Sequence, residues 1–198
     1  MDTVICVVAG LSSRMGAFKP LLPLGETSII RTLIGRYRAC GIERIVLVTG
    51  HNAELLESHV GDLGVCCCRN ARYAESDMLE SVKVGIRFCL DSDAAPSSSD
   101  RIFLTPGDIP LVSTDTISAL MDVSGDVVAP TMDGERGHPL RLARRTLEPI
   151  LHYEGDGGLQ GALRSLGFAI TEMPVHDPGI LLDADTPDDY EKLKRLLG

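Results

Sequence analysis

The chain has 198 residues, of which 44% are hydrophobic and 24% charged, proportions that are typical of globular proteins and exclude a disordered or collagen-like chain. Its net charge is −9, with 28 acidic against 19 basic residues and no basic run, which argues against a nucleic-acid partner. No apolar run reaches the ~20 residues that a membrane helix needs, so we expect no membrane partner. The composition predicts a cytoplasmic protein with a single domain over residues 1–198.

Short β-branched runs alternate with amphipathic stretches through the first two thirds of the chain. Buried strands are predicted at 3–9, 44–49, 64–69, 101–105 and 126–131. Helical spacing of apolar residues predicts helices over 30–39, 53–60, 78–89 and 114–121, with Asn52 as N-cap of the second and Ser113 or Thr114 as N-cap of the fourth. This alternation predicts an α/β fold: a doubly wound, mostly parallel sheet with helices on both faces.

The pattern changes after residue 131. Further strands are predicted at 139–142, 169–175 and 180–182, and helices at 143–152 and 158–166. Thr186 as N-cap and Pro187 at the first helical position predict a final helix that ends near Leu197.

The six cysteines include a triplet at 66–68 but form no CxxC pair. Adjacent side chains of a strand point to opposite faces, so the triplet cannot hold one metal ion. We therefore expect buried, reduced cysteines that act as small hydrophobic residues, with no function.

A glycine-containing polar loop follows the first strand. Gly10 and Gly16 allow the backbone to approach phosphate oxygens closely, and Arg14 and Lys19 add positive charge. The loop matches neither a P-loop nor a dinucleotide fingerprint. Because ligands of open α/β sheets bind beyond the carboxyl ends of the strands, a phosphate-binding loop is favoured over an ordinary connection.

Two acidic segments follow later strands. Asp108 lies in a Pro-Gly-Asp turn after the strand at 101–105, where a carboxylate can hold Mg²⁺ against phosphates, although an aspartate in such a turn is more often only a turn residue. Asp183 and Asp185 precede the last helix, and carboxylates there commonly serve helix capping.

The loop from Gly10 through Arg14, Met15 and Gly16 to Lys19 resembles the signature of the MobA-like NTP transferase family. Within that family, AGLSSRMG followed by KPLLPLG resembles the molybdenum cofactor cytidylyltransferase branch. The related guanylyltransferases tend to have a second glycine where this chain has Leu11, which favours cytidine over guanosine.

The resemblance implies roles for individual residues. It places the nucleotide on Ala9, Gly10, Leu11, Arg14, Gly16, Lys19, Asn70 and Ser81, with Arg14, Lys19 and Asp108 as catalytic residues. Mg²⁺ is the implied cofactor, held by Asp108 and Asp185, with Asp183 as the weaker choice. His138 and Asp156 match elements on the side of the acceptor substrate. Near the nucleobase, Tyr73 and Asp77 depart from the family's Trp and Gly.

The implied reaction moves CMP from CTP to molybdopterin or its molybdenum-loaded form and releases pyrophosphate. The implied partners are CTP or GTP, a molybdopterin-type acceptor and a molybdenum hydroxylase apoenzyme. Three alternatives stay open: a guanylyltransferase of the same cofactor, a sugar- or polyol-phosphate nucleotidyltransferase, and a non-catalytic nucleotide-binding cofactor chaperone.

Overall fold

The computed structural model describes residues 1–10, 17–92, 97 and 100–197. The strands of this part are, in chain order, β1 (Thr3–Val8), β2 (Pro23–Leu24), β3 (Thr27–Ser28), β4 (Arg44–Thr49), β5 (Cys66–Arg69), β6 (Arg101–Pro106), β7 (Val127–Met132), β8 (Glu135–Arg136), β9 (Leu140–Ala143) and β10 (Ile170–Pro174). Nearly every strand predicted from the sequence is present.

The helices also follow the predicted order. They are α1 (Ile29–Ala39), α2 (Ala53–His59), α3 (Met78–Ser92), α4 (Thr114–Asp122), α5 (Leu147–Leu151), α6 (Gly158–Ser165) and α7 (Pro187–Leu197), with short 3-10 turns at Lys19–Leu21, Gly61–Leu63, Arg144–Thr146 and Pro178–Ile180. Ser113 caps α4 by accepting a hydrogen bond from the Thr116 backbone N–H. Across the described residues, no helix is both long and apolar enough to span a bilayer.

Within the described residues, eight strands form one mixed sheet in the order β10-β7-β9-β6-β1-β4-β5, with β8 paired to β7. The central strand β1 runs parallel to both β4 and β6. The strand β9 is antiparallel and inserts between β6 and β7. Because β1, β4, β5 and β6 are parallel, their carboxyl ends meet at one edge of the sheet.

Both faces of the sheet are covered, as the sequence predicts. Alternate residues of β1 point to opposite sides: Val4 and Cys6 pack among the residues of α1 and α4, whereas Ile5 packs among those of α3 and α6. Gly85 of α3 lets the helix approach the sheet, since a Cβ there would lie 2.5 Å from Ile5 Cγ2. The doubly wound, mostly parallel α/β architecture is confirmed.

The strand predicted at 180–182 is wrong. The chain instead forms the 3-10 turn Pro178–Ile180, because Pro178 fixes the backbone and the Asp177 carboxylate accepts a hydrogen bond from the Gly179 N–H at 3.0 Å. The same carboxylate accepts from the Ser113 N–H and the Thr116 hydroxyl, which ties this turn to the start of α4. A local cap therefore overrides the apolar run.

The capping role predicted for Asn52 is also wrong. Asn52 precedes α2 but has a φ of 53°, in the left-handed region, and its side chain makes no capping hydrogen bond. Its backbone instead bends the chain directly after β4, and the short helix is held by the burial of Leu56.

The cysteines differ partly from expectation. All six are free, but only Cys6 and Cys89 are buried, and Cys66 is exposed. The triplet at 66–68 is not fully buried because β5 lies at the edge of the sheet, where it has a neighbouring strand on one side only. Partial burial raises the pKa of Cys67 to about 11 and that of Cys68 to about 12, so both remain thiols at neutral pH.

Candidate active site

The candidate site lies where the carboxyl ends of β1 and β6 meet. β1 is the strand from which the sheet extends in both directions, through β4 on one side and β6 on the other, which is the position where open α/β sheets bind ligands. The turn after β6 lies against β1, with the Gly107 N–H donating to the Val7 carbonyl at 2.9 Å. Only glycine fits there, because a Cβ would lie 2.0 Å from Val8 Cγ1.

The site brings together three of the residues named from the sequence. The Lys19 ammonium lies 3.2 Å from Asp108 Oδ2 and 2.5 Å from Asp185 Oδ1. The Lys19 side chain is only 11% exposed, whereas the side chains of Asp108 and Asp185 are 26% and 35% exposed. The segment that carries Asp185 is anchored to the turn of Asp108 by a hydrogen bond from the Ala184 N–H to the Asp108 carbonyl at 3.0 Å.

The charges of this cluster influence one another. Partial burial lowers the pKa of Lys19, but the hydrogen bonds and charges of Asp185 and Asp108 outweigh it, so the pKa lies above its ordinary value. Burial, with the nearby Asp185 and Asp108 charges, raises the pKa of Asp183. The ammonium is therefore fully charged, and negative charge is in excess around it.

The donor set fits a magnesium ion. Mg²⁺ commonly uses one or two carboxylates and completes its shell with phosphate oxygens and water. Asp108 and Asp185 each place an oxygen against one positive charge, the Lys19 ammonium, so a cation is accommodated between them. Among the described residues, no group of three His, Cys, Asp or Glu side chains is arranged as a complete metal site. The described residues therefore offer two carboxylates to a divalent cation, and the rest of its shell would come from phosphate oxygens and water.

A cleft of about 130 Å³ opens beside this cluster. Its walls include Gly10, Lys19 and Asp108, and also Met78 at the start of α3. A second cavity of about 190 Å³ continues from it, since Val7, Met78 and Pro106 line both. We call the first the charged cleft and the second the apolar cavity, whose further lining residues are Asp77, Leu79, Val82, Leu104, Thr105, His138, Gly158 and Leu159.

His138 lies in the wall of the apolar cavity. Its backbone N–H donates to the Ile180 carbonyl at 2.9 Å, and no group among the described residues pairs with its buried Nδ1. Burial lowers the pKa of His138 below its ordinary value, despite opposing contributions from the Leu104 backbone and the Asp108 charge. The imidazole is therefore neutral at pH 7, with one nitrogen that can donate and one that can accept a hydrogen bond.

Asp156 is not brought to either cavity. It is exposed and precedes α6, where its backbone carbonyl accepts a hydrogen bond from the Tyr153 hydroxyl at 2.8 Å. The next turn of the chain, at Gly158 and Leu159, does reach the apolar cavity. Contact between Asp156 and an acceptor stays a prediction.

Asn70 and Ser81 are buried next to each other. Asn70 Nδ2 donates to Ser81 Oγ at 2.9 Å and to Ser76 Oγ at 3.0 Å, and its Oδ1 accepts from the Arg72 N–H at 3.0 Å. These bonds fix the connection between β5 and α3. The two side chains are thus satisfied by protein groups, and direct contact with a nucleobase stays a prediction.

One feature of the site has no counterpart among the residues named from the sequence. The His51 ring lies 6.0 Å from the Phe18 ring and 6.1 Å from the Tyr73 ring, centroid to centroid. The His51 N–H donates to the Ala9 carbonyl at 3.2 Å, which binds the end of β4 to the end of β1. The sequence could have indicated this residue, because His51 lies two residues after the end of the parallel strand β4 and is therefore close to the same edge of the sheet.

Three of the named nucleotide-binding residues, Leu11, Arg14 and Gly16, lie outside the described residues. Their roles stay predictions. Ala9 and Gly10, at the start of the same loop, are described: Ala9 is buried at the end of β1, and Gly10 is exposed at the charged cleft.

A buried lysine between two carboxylates, at the carboxyl edge of a doubly wound sheet, is an arrangement suited to binding phosphate groups. The family model described as "MobA-like NTP transferase domain" matches residues 4–171. The chain belongs to this family and is a nucleotidyltransferase.

The chain is similar to two curated relatives over nearly its whole length. It is 31% identical to the molybdenum cofactor cytidylyltransferase of Escherichia coli (strain K12), over 96% of this chain and 95% of that protein. It is 22% identical to a probable molybdenum cofactor guanylyltransferase of Carboxydothermus hydrogenoformans, over 98% of this chain and 95% of that protein. Among solved structures, a nucleotidyl transferase from Methanothermobacter thermautotroptrophicus shares the fold, with a TM-score of 0.82, 23% identity and coverage of 100% and 97% of the two chains.

Proposed function

We propose that this enzyme transfers CMP from CTP to molybdopterin or its molybdenum-loaded form and releases pyrophosphate in a Mg²⁺-dependent reaction. The observation that carries the proposal is the contact of Lys19 with both Asp108 and Asp185 at the switch point of the sheet. This contact brings together three segments of the chain: Lys19, which would bind phosphate, and Asp108 and Asp185, which would bind the metal ion. The choice of cytidine and of the acceptor is supported by Leu11 in the loop and by the 31% identity to a cytidylyltransferase.

The reaction is an in-line displacement. A phosphate oxygen of the acceptor forms a bond to the α-phosphorus of CTP, and the bond from that phosphorus to the bridging oxygen breaks, so that pyrophosphate leaves with the electron pair. Such transfers depend on positioning and on stabilisation of charge rather than on a strong base. Lys19 and Arg14 bind the triphosphate and stabilise the negative charge that develops on its oxygens.

Asp108 and Asp185 would hold the metal. When bound, Mg²⁺ neutralises phosphate charge and orients the leaving group. The carboxylates are partly exposed, and Asp108 lines the charged cleft, so they can reach both the ion and solvent. The backbone bond from Ala184 to Asp108 keeps their two segments in register.

The acceptor is assigned to the apolar cavity. Its walls are largely apolar, and the neutral His138 supplies a hydrogen-bonding group within them, a combination that suits a flat heterocycle better than a hydrated sugar. The cavity joins the charged cleft at Val7 and Pro106, so a ring bound there can present an attached phosphate towards Lys19.

The direct test is pyrophosphate release with CTP, Mg²⁺ and molybdopterin, together with mass analysis of the product. The proposal predicts release that requires all three components and a cytosine dinucleotide product. Release with GTP but not with CTP would reassign the nucleotide, and release with a sugar phosphate in place of molybdopterin would reassign the acceptor. Nucleotide binding without release under any condition would favour the non-catalytic chaperone.

A further inference from the structure

The Lys19 ammonium occupies the space between the two carboxylates that would bind a metal ion. It contacts Asp108 and Asp185, which are 89 and 166 residues away in the sequence. The backbone of Lys19 is fixed by the 3-10 turn Lys19–Leu21, which contains Pro20 and is closed by a hydrogen bond from the Leu22 N–H to the Lys19 carbonyl at 3.0 Å. The contact is therefore a built feature and not one of many conformations of a free surface side chain.

The Lys19 ammonium also changes the charge balance of the two carboxylates. Two carboxylates that face one site repel each other, and Asp183, two residues before Asp185, adds a third acidic side chain nearby. The ammonium offsets part of this repulsion and holds the two segments together. A divalent cation would bind the same carboxylate oxygens, so the ion and the ammonium cannot bind them at the same time.

We propose that Lys19 is a positioning residue that holds Asp108 and Asp185 ready in the free enzyme and competes with the divalent cation for them. The triphosphate of the nucleotide attracts the ammonium away, and the carboxylates are then released to the ion. The enzyme thus binds the metal weakly by itself and tightly together with nucleotide. This inference rests on the proposed function, since it takes Asp108 and Asp185 as the metal ligands.

The test measures binding of Mn²⁺ alone, without nucleotide, from the electron paramagnetic resonance signal of the free ion. Lys19→Met keeps the length of the side chain and removes its charge, and Lys83→Met is the matched control. Lys83 is also a partly buried lysine with an acidic partner, Glu80 at 2.8 Å, but it lies on the helix α3 outside the cleft. Both variants have the same net charge.

We expect Lys19→Met to bind Mn²⁺ about tenfold more tightly than the unchanged protein, a difference of ~1.4 kcal/mol, because the ion no longer competes with the ammonium for the two carboxylates. Lys83→Met should leave the affinity unchanged. Lys19→Gln repeats the test with a polar replacement, and thermal unfolding confirms that each variant is folded. Mn²⁺ binding is measured without turnover, so the loss of activity that we expect in both Lys19 variants does not affect the result.

Two further variants separate the failure of this inference from that of the proposed function. Asp108→Asn and Asp185→Asn should each weaken Mn²⁺ binding, and adding Asp108→Asn to Lys19→Met should abolish the gain. If both aspartate variants weaken binding but Lys19→Met has no effect, the competition is disproved and the metal site stands. If the aspartate variants bind Mn²⁺ as the unchanged protein does, the metal site itself is wrong, and the inference fails with it.

Discussion

The charged cleft and the apolar cavity share a wall but are built on opposite principles. The charged cleft is an electrostatic assembly, in which Lys19, Asp108 and Asp185 come from three distant segments and hold one another by direct contact. The apolar cavity is formed by side chains of α3, β6 and α6 with one neutral histidine. Changes in the first should therefore remove chemistry and leave the fold, whereas changes in the second should alter which acceptor binds.

The largest effect is expected in the charged cleft. Asp108→Asn keeps the shape of the side chain but removes the negative charge. The divalent cation then loses a ligand, and Lys19 loses an ionic partner. We expect turnover to fall about 100- to 1,000-fold, in the range found when a transition-state contact is removed. The melting temperature should change little, because the side chain is partly exposed and takes no part in the core.

The control for that loss is Asp115→Asn, which removes an exposed carboxylate in the first turn of α4. It should retain full activity. Equal activity of the two variants would show that Asp108 has no special role and would remove the basis for the proposed metal site.

The next largest effect concerns the support of the site. Asn70→Ala removes three hydrogen bonds that fix the connection between β5 and α3, and leaves the buried Ser81 hydroxyl without its donor. We expect a loss of about 2 kcal/mol in the free energy of unfolding, which corresponds to a melting temperature lower by about 4–8 °C. Ser76→Ala removes only one of these bonds and should cost less. An Asn70→Ala protein as stable as the original would contradict the buried network.

A smaller, selective effect is expected in the apolar cavity. His138→Phe preserves a ring of similar size but removes its hydrogen-bonding nitrogens. The KM for the acceptor should rise about tenfold, as expected for one lost hydrogen bond, while the KM for CTP stays constant. Steady-state kinetics with each substrate varied in turn measure this. A rise in the KM for CTP instead would place the nucleotide, and not the acceptor, against His138.

The same histidine gives the protein a pH dependence. Because burial lowers the pKa of His138 below 6.5, the unfolded chain takes up a proton near that pH that the folded chain does not. Its contribution to stability is therefore complete above about pH 6.5 and is lost as the pH falls below that value. Urea unfolding at pH 7.5 and pH 5.5 should show a larger loss for the original protein than for His138→Asn. Parallel losses in the two proteins would show that His138 titrates normally.

The smallest effect lies far from both cavities. Cys66 is exposed on the edge strand β5, so Cys66→Ser should change neither activity nor stability beyond about 0.5 kcal/mol. A maleimide reagent should label Cys66 in the folded protein and reach Cys6 and Cys89 only after unfolding. Rapid labelling of Cys6 would contradict its position in the core.

The sequence predicts most of the parallel half of the sheet, for a clear physical reason. β1, β4 and β6 are buried on both faces, and their sequences are therefore rich in β-branched and apolar residues. Asp108 follows β6 directly, so its place at the carboxyl edge follows from the strand. The segment at 180–182 is equally apolar, yet the Asp177 cap makes it a turn.

The geometry of the site could be predicted only in part. The strand ends place Lys19 and Asp108 at one edge, and the family resemblance adds Asp185, but the direct contact of Lys19 with both carboxylates depends on side chains that are up to 166 residues apart. Asp156 shows the opposite case: its segment resembles an acceptor-binding element, whereas its position depends on the turn before α6, which leaves it exposed.

The most direct test of the central claim is a thermal-shift comparison of the original protein and Asp108→Asn with CTP, GTP, UTP and ATP, each with and without Mg²⁺. A nucleotide at about 100 times its dissociation constant adds ~2.7 kcal/mol, which raises the melting temperature by several degrees. The account predicts a Mg²⁺-dependent shift that is largest with CTP and is lost in Asp108→Asn. A shift that is largest with GTP would make this a guanylyltransferase. An equal shift in the two proteins, or none with any nucleotide, would contradict the assignment of the charged cleft.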